Sequence, residues 1–283
     1  MPTLAIVGAG PGMGLAIART FGSRGFDVAL IARTKEKLDS LVAQLGQEGI
    51  TAAAFPADVM DRPSLTAALD AVTVRFGGID VLEYSPAPHS PVPGFTMAAP
   101  SEVTVENLQP QIEYTFYGAV TAARAVLPAM REAGSGALLF TTGGGSIHPV
   151  PMLGNVNAAG GALRNWVLNL HNELSGSGVY AAHVAINTWI GEGGPAGIPA
   201  ATPRRSRPCT GTCTSAATSP RSSSTADTCR HMVRRRAADH PSLPTRRISA
   251  PDFGGMPPHM VSDSIELLAA EVAPTIRKET HGR

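Results

Sequence analysis

The chain has 283 residues, 23 Lys and Arg against 22 Asp and Glu, three cysteines and 43% apolar residues. That length allows one sizeable domain or two small ones. No apolar run approaches the ~18 residues of a membrane span, and Met1-Pro2-Thr3-Leu4 enters a strand pattern with no signal peptide before it, so the expected location is cytoplasmic, without membrane contact. In chain order, Leu4–Gly8 is a short apolar run ending in glycines, as a buried parallel strand does. Met13–Arg24 has helical spacing, and Asp27–Ala32 is a second strand. Lys35–Gln47 is a helix with Leu38, Leu41, Val42 and Leu45 on one face. Ala52–Phe55, the helix Pro63–Phe76 and the strand Ile79–Glu83 follow. A long helix within Val103–Arg131 precedes a fifth strand, Ala137–Thr142, then a helix over Ala158–Leu174 and a sixth strand, Ala181–Ile186. Strands alternating with helices imply an α/β fold, a parallel sheet with right-handed crossovers and helices on both faces.

Ligands of such sheets sit at the carboxyl ends of the strands. The first of those ends reads Gly8-Ala9-Gly10-Pro11-Gly12-Met13-Gly14 and runs into a helix. Glycine permits a tight turn and close approach of backbone to a pyrophosphate, and the helix N-terminus offers free N–H groups to phosphate. Strand two ends Ile31-Ala32-Arg33-Thr34. An acid there would accept from ribose hydroxyls. Arg33 instead can pair with a 2′-phosphate, which favours NADP, with NAD as the alternative.

Gly8, Gly12 and Gly14 match the Gly-x-x-x-Gly-x-Gly of short-chain dehydrogenases/reductases. Ala57-Asp58-Val59 resembles that family's adenine-contacting segment, and Gly77–Leu82 its approach to strand four. The resemblance runs to about residue 202 and implies a Rossmann-type doubly wound sheet in three α/β/α layers. It implies a cofactor held at Gly8, Gly10, Gly12, Met13, Gly14, Arg33, Asp58, Val59, Ser85 and Ile190. It further implies oxidoreduction of a small-molecule carbonyl or alcohol, and a homo-oligomer built on the helices flanking strand five.

The family's chemistry uses a Tyr whose pKa is lowered by a Lys four residues on, a Ser that orients the substrate oxygen and a supporting Asn. Here Val156 falls at the Tyr position and Gly160 at the Lys position, and a one-residue slip gives Asn157 and Gly161. The Ser position falls near Thr142 or Gly143, and the Asn position at Thr115. Asn-Asn-Ala-Gly after strand four reads Tyr84-Ser85-Pro86-Ala87. The residues left as candidates for the substrate oxygen are Thr142, Ser146 and His148, with His89 after strand four. Tyr117 and the stripe Leu163, Trp166, Val167, Leu170 and Leu174 read as core, while Trp189 suits either core or nicotinamide. Two functions fit: an NADP-dependent oxidoreductase with an unconventional proton donor, or a catalytically inactive NADP-binding sensor or partner subunit.

From Pro203 the texture changes. Residues 1–202 carry eight Arg, two Lys and fifteen acids; residues 203–283 carry twelve Arg, one Lys, seven acids, every cysteine and a single aromatic, Phe253. Arg204–Arg247 is rich in Ser, Thr, Arg and Pro, lacks an apolar period, and is expected to be a disordered tail. A basic arm for nucleic acid and a zinc site from Cys209, Cys213, Cys229 and His231 are the weaker readings; neither nucleic acid nor metal is expected. Out-of-frame GC-rich coding sequence also gives Arg-rich, Lys-poor text. Shifted by one frame, the codons of Pro208–Cys213 permit Leu-Tyr-Trp-Asp-Leu, so a frameshift near residue 203 is the preferred reading.

Overall fold

The computed structural model describes residues 1–87 and 95–186 in full, and the backbone strands 189–190, 200–201 and 245–248. Six strands, β1 (Thr3–Val7), β2 (Asp27–Ala32), β3 (Ala52–Pro56), β4 (Val81–Tyr84), β5 (Gly136–Gly143) and β6 (Val179–Ile186), pair in parallel in the order β3-β2-β1-β4-β5-β6. The register puts Val7 beside both Ile31 and Tyr84, so the ends of β1, β2 and β4 lie level. β7 (Trp189–Ile190) and β8 (Ala200–Ala201) pair separately. β9 (Thr245–Ile248) lies beside β6, with His183 opposite Thr245. Thr245–Arg247 fall in the segment for which the sequence predicts no regular structure; the rest of that segment, with all three cysteines and His231, lies outside the described residues, as does His89.

Two apolar cores flank the sheet. On one face α1 (Met13–Gly22) and α2 (Lys35–Gln47) bury Leu15, Phe21, Leu38, Leu41 and Leu45 against Leu4, Ile6, Val28 and Leu30. On the other, α3 (Arg62–Phe76), α5 (Gly118–Ala133) and α6 (Gly154–Glu173) cover Val7, Ile31, Leu82 and Phe140. The central strands β1 and β2 are buried on both faces, which is why they read as near-continuous apolar runs. Helix ends follow local chemistry. Asp61 accepts from Ser64 N at the start of α3, where Pro63 fits the first turn, and Gly77 closes that helix at φ +89°. No helix among the described residues is long and apolar enough to cross a membrane.

The long helix expected within Val103–Arg131 is present, running without interruption from Val105 to Ala133, with one break in its α-helical bonding: α4 (Val105–Ile112) passes through a π turn over Glu113–Tyr117 into α5. At the break the buried Tyr84 hydroxyl donates to Tyr114 O (2.6 Å), a carbonyl that regular helical bonding would otherwise engage. Gly118 makes room, because a Cβ there would collide with the Tyr84 hydroxyl. Helix α6 begins four residues before the expected Ala158. Its first turn is fixed by buried Asn155, which accepts from Ala98 N and donates to Thr96 O and Asn107 O, and by Gly154 N donating to Ala98 O. Tyr117, expected in the core, is 40% exposed with the Arg62 guanidinium over its ring. Trp166 does pack as core, edge-on to Phe116 and Phe140.

Candidate active site

The β1–α1 turn is held by backbone. Gly8 N and Ala9 N both donate to Ile31 O (2.9 and 3.1 Å), and Leu15 N donates to Gly10 O. Gly8 has φ +101°, and a Cβ there would sit 2.5 Å from Pro86 N and Cα, so the turn lies directly on the exit of β4. At Gly14 a Cβ would stand 3.0 Å from Ala9 Cα, which allows α1 to press against the turn. Helix α1 then starts at Met13, half-buried against the α1–α2 core, with no side-chain cap at Gly12 and no acid in its first turn. Leu15 N and Ala16 N are taken by Gly10 O and Gly12 O, so the N–H groups ahead of Leu15 and the partial positive charge of the helix start are left for an anion.

The neighbouring strand ends add side chains. Arg33 is exposed at the end of β2. Asp58 is half-buried and is fixed by accepting from Met60 N (3.0 Å), while Val59 is buried. Tyr114 feels both: burial pushes its hydroxyl up to about 12, Arg33 pulls it down and Asp58 raises it, so these three groups lie together. Ser85 N donates to Val7 O, and the Ser85 hydroxyl turns inward to Glu83 (2.8 Å). Ile190 is described only as backbone, paired with Ala201, and the Trp189 side chain lies outside the described residues. A glycine cradle that a Cβ would fill, an uncapped helix start and an exposed arginine fit a dinucleotide with an extra phosphate.

The other half of the site is built at the end of β5, where successive side chains point to opposite faces. Thr141 faces the α1 side and donates to Glu83 Oε1 (3.0 Å); Glu83 also accepts from Ser85 on Oε2. Complete burial pushes the Glu83 carboxyl up to about 7 against these two hydrogen bonds. Thr142 faces the α6 side. Its Oγ1 lies 2.9 Å from Ser146 Oγ and 2.8 Å from Nε2 of His183 in β6, and Ser146 Oγ donates to Gly143 O (2.9 Å). Burial, and then the Arg164 guanidinium, hold the fully buried His183 ring down at about 4, so it is neutral at ordinary pH. His183 Nδ1 and Arg164 Nε are both buried without a partner.

Val156 is half-buried and carries no titratable group. Gly160 is buried, and a Cβ on it would lie 3.3 Å from Ser146 Cβ and 3.9 Å from Thr142 Cβ. Ser146 therefore occupies the volume into which a side chain from position 160 would grow. His148, the third candidate, is exposed on the same turn, its backbone N donating to Gly144 O (2.9 Å). Thr142 and Ser146 are thus brought together, and the chain they start runs inward to His183. Sequence reading missed His183 and Glu83. Both are polar residues in the middle of otherwise apolar strands, and that anomaly was the available signal.

A family profile described as short chain dehydrogenase matches residues 2–188. The chain belongs to the short chain dehydrogenase family. It is 35% identical over 167 residues to the dehydrogenase/reductase SDR family member 4 of Sus scrofa, covering 58% of this chain and 57% of that protein. It is 33% identical over 135 residues to the D-threitol dehydrogenase of Mycolicibacterium smegmatis, covering 47% and 49%. The chain thus spans about half the length of these curated relatives. Among solved structures, the L-sorbose reductase of Gluconobacter frateurii, complexed with NADPH and L-sorbose, superposes with TM-score 0.61 at 25% identity, over 67% of this chain and 70% of that one. An actinorhodin polyketide ketoreductase with NADPH gives TM-score 0.61 at 27% identity, over 67% and 71%.

Proposed function

We propose that this chain is an NADP(H)-dependent oxidoreductase acting on the carbonyl or alcohol carbon of a small molecule. The observation that carries the reading is the backbone cradle of Gly8–Gly14 below an uncapped helix start, with Arg33 exposed at the next strand end. The L-sorbose reductase and the polyketide ketoreductase that share the fold bind NADPH. NAD would use the same turn and leave Arg33 without a phosphate partner.

Hydride exchange is the chemistry a nicotinamide supplies when bound. The remaining tasks fall to the chain. The Gly12–Gly14 backbone receives the pyrophosphate, Arg33 the 2′-phosphate, and Asp58 with Val59 the adenine side. Thr142 and Ser146 stand where a substrate oxygen can be hydrogen-bonded, and His148 stands at the rim as a titratable group. Helices α5 and α6 form the face on which we place a homo-oligomeric contact.

Titration of NADPH and NADH into the protein tests the cofactor. NADPH should bind at least about tenfold more tightly, and Arg33→Ala should remove that difference, since a charge-assisted contact is worth roughly 1.5–3 kcal/mol. Equal affinities in the wild type would sink the assignment. Tight NADPH binding without oxidation by any carbonyl compound would instead identify a binding protein.

A further inference from the structure

We propose that His183 is a positioning residue for the substrate oxygen: through Thr142 it turns the Ser146 hydroxyl into the site's outward donor. This rests on the oxidoreductase reading. The geometry is a run of three short contacts, His183 Nε2 to Thr142 Oγ1 (2.8 Å), Thr142 Oγ1 to Ser146 Oγ (2.9 Å) and Ser146 Oγ to Gly143 O (2.9 Å). Thr142 Oγ1 also lies 3.2 Å from Gly143 O, the longer of its two possible donations; each hydroxyl has one hydrogen, so with the nearer Ser146 as its acceptor the direction of the run follows from which ring nitrogen of His183 carries the proton.

The surroundings make that choice. Nδ1 is buried and has no hydrogen-bond partner. A buried N–H without an acceptor is rarer and costlier than a bare lone pair. The cationic Arg164, whose Nε–H is itself buried and unpartnered, acts on the ring and favours a lone pair over a second N–H dipole. The proton therefore sits on Nε2 and is donated to Thr142; Thr142 donates to Ser146, and Ser146 to Gly143 O. Aligned hydrogen bonds of this kind polarise one another. The Ser146 lone pair facing Thr142 is engaged, and its hydrogen is the only one in the run that ends on an exchangeable partner, because Gly143 is exposed at the strand end. A carbonyl oxygen that displaces Gly143 O receives that hydrogen.

The same geometry explains why position 160 carries no side chain. A Cβ there meets Ser146 at 3.3 Å and would push the donor off its line.

The first test needs neither cofactor nor turnover. Nitrogen-resolved NMR of histidine-labelled protein should find the His183 proton on Nε2, exchanging slowly in the wild type and in Thr142→Ser, and rapidly in Thr142→Val, which keeps the shape and loses the acceptor. A proton on Nδ1, or the same exchange in all three proteins, overturns the proposal while leaving the oxidoreductase reading intact. The second test uses NADPH with cyclohexanone as probe. His183→Ala should raise the KM for cyclohexanone about tenfold, roughly the loss of one such hydrogen bond, with kcat and the NADPH Kd changed much less. His183→Gln, whose amide nitrogen reaches the place of Nε2, should recover most of the loss. If the alanine and glutamine variants behave alike, or the alanine variant keeps the wild-type KM, His183 does not position the oxygen.

Discussion

The two halves of the candidate site are built by different means. From β1 to β4 the cofactor side is made of backbone: a glycine turn at φ +101°, N–H groups on Ile31 O, and an uncapped helix start. From β5 to β6 the proposed substrate side is made of side chains that touch one another, Thr142 with Ser146 on the same turn and with His183, 41 residues on. A backbone device tolerates no Cβ and so keeps its glycines. A side-chain device can be rebuilt from other residues, provided they reach the same atom. On the reading proposed above, the first is the glycine turn of Gly8, Gly12 and Gly14 and the second is the set Thr142, Ser146 and His183.

Breaking the backbone half should have the largest effect. Gly8→Val places a β-branched side chain at positive φ and into Pro86, and should lower the melting temperature sharply along with dinucleotide binding. Gly12→Val separates the two losses: NADPH binding should vanish in calorimetry while the fold persists, because the side chain fills the pyrophosphate path. Binding that survives Gly12→Val would mean the turn is not the cofactor site.

On the side-chain half, Ser146→Ala should raise the KM for cyclohexanone at least as much as the about tenfold expected of His183→Ala, and leave the NADPH Kd alone. If His148→Ala slows the reaction and Ser146→Ala does not, the oxygen site lies at the rim of the turn instead.

The smallest effects come from trying to convert the second half to the family's usual form. Val156→Tyr with Gly160→Lys should not raise carbonyl reduction, because the new Cβ at 160 meets Ser146 at 3.3 Å. Gly160→Ala alone should change stability by less than about 1 kcal/mol, the helix gain of alanine offsetting the close contact. A brisk double variant would show that Ser146 yields easily and that the two arrangements are interchangeable.

The contrast also governs what the sequence could reveal. The sheet, its helices and the glycine turn were legible because periodicity and glycine spacing are local. The break at Glu113–Tyr117 was not: it answers to Tyr84, some thirty positions earlier. Thr142 and Ser146 were within reach of sequence reading because they flank one turn. His183, 41 residues from Thr142, was not, nor was the Glu83 contact with Thr141, 58 residues apart. Side chains that meet across a sheet leave only the oddity of a charge or an imidazole inside an apolar strand.

The paired threonines at the end of β5 have a consequence for how folding couples to pH. Thr141 holds Glu83 on one face and Thr142 contacts His183 on the other. Folding moves the carboxyl from its ordinary 4.5 up to about 7, so between those values the folded chain takes up a proton. Folding moves the imidazole from 6.5 down to about 4, so between those values the folded chain releases one. Taken alone, Glu83 withdraws stability as pH rises through its window, and His183 withdraws it as pH falls through the other, each by up to about 3 kcal/mol. Between 4.5 and 6.5 the windows overlap, uptake matches release, and these two groups leave no net slope. Glu83→Gln would expose the imidazole's slope, the melting temperature falling as the medium is acidified below 6.5. Two groups that each oppose burial thus make folding insensitive, over two pH units, to the protons they would separately demand.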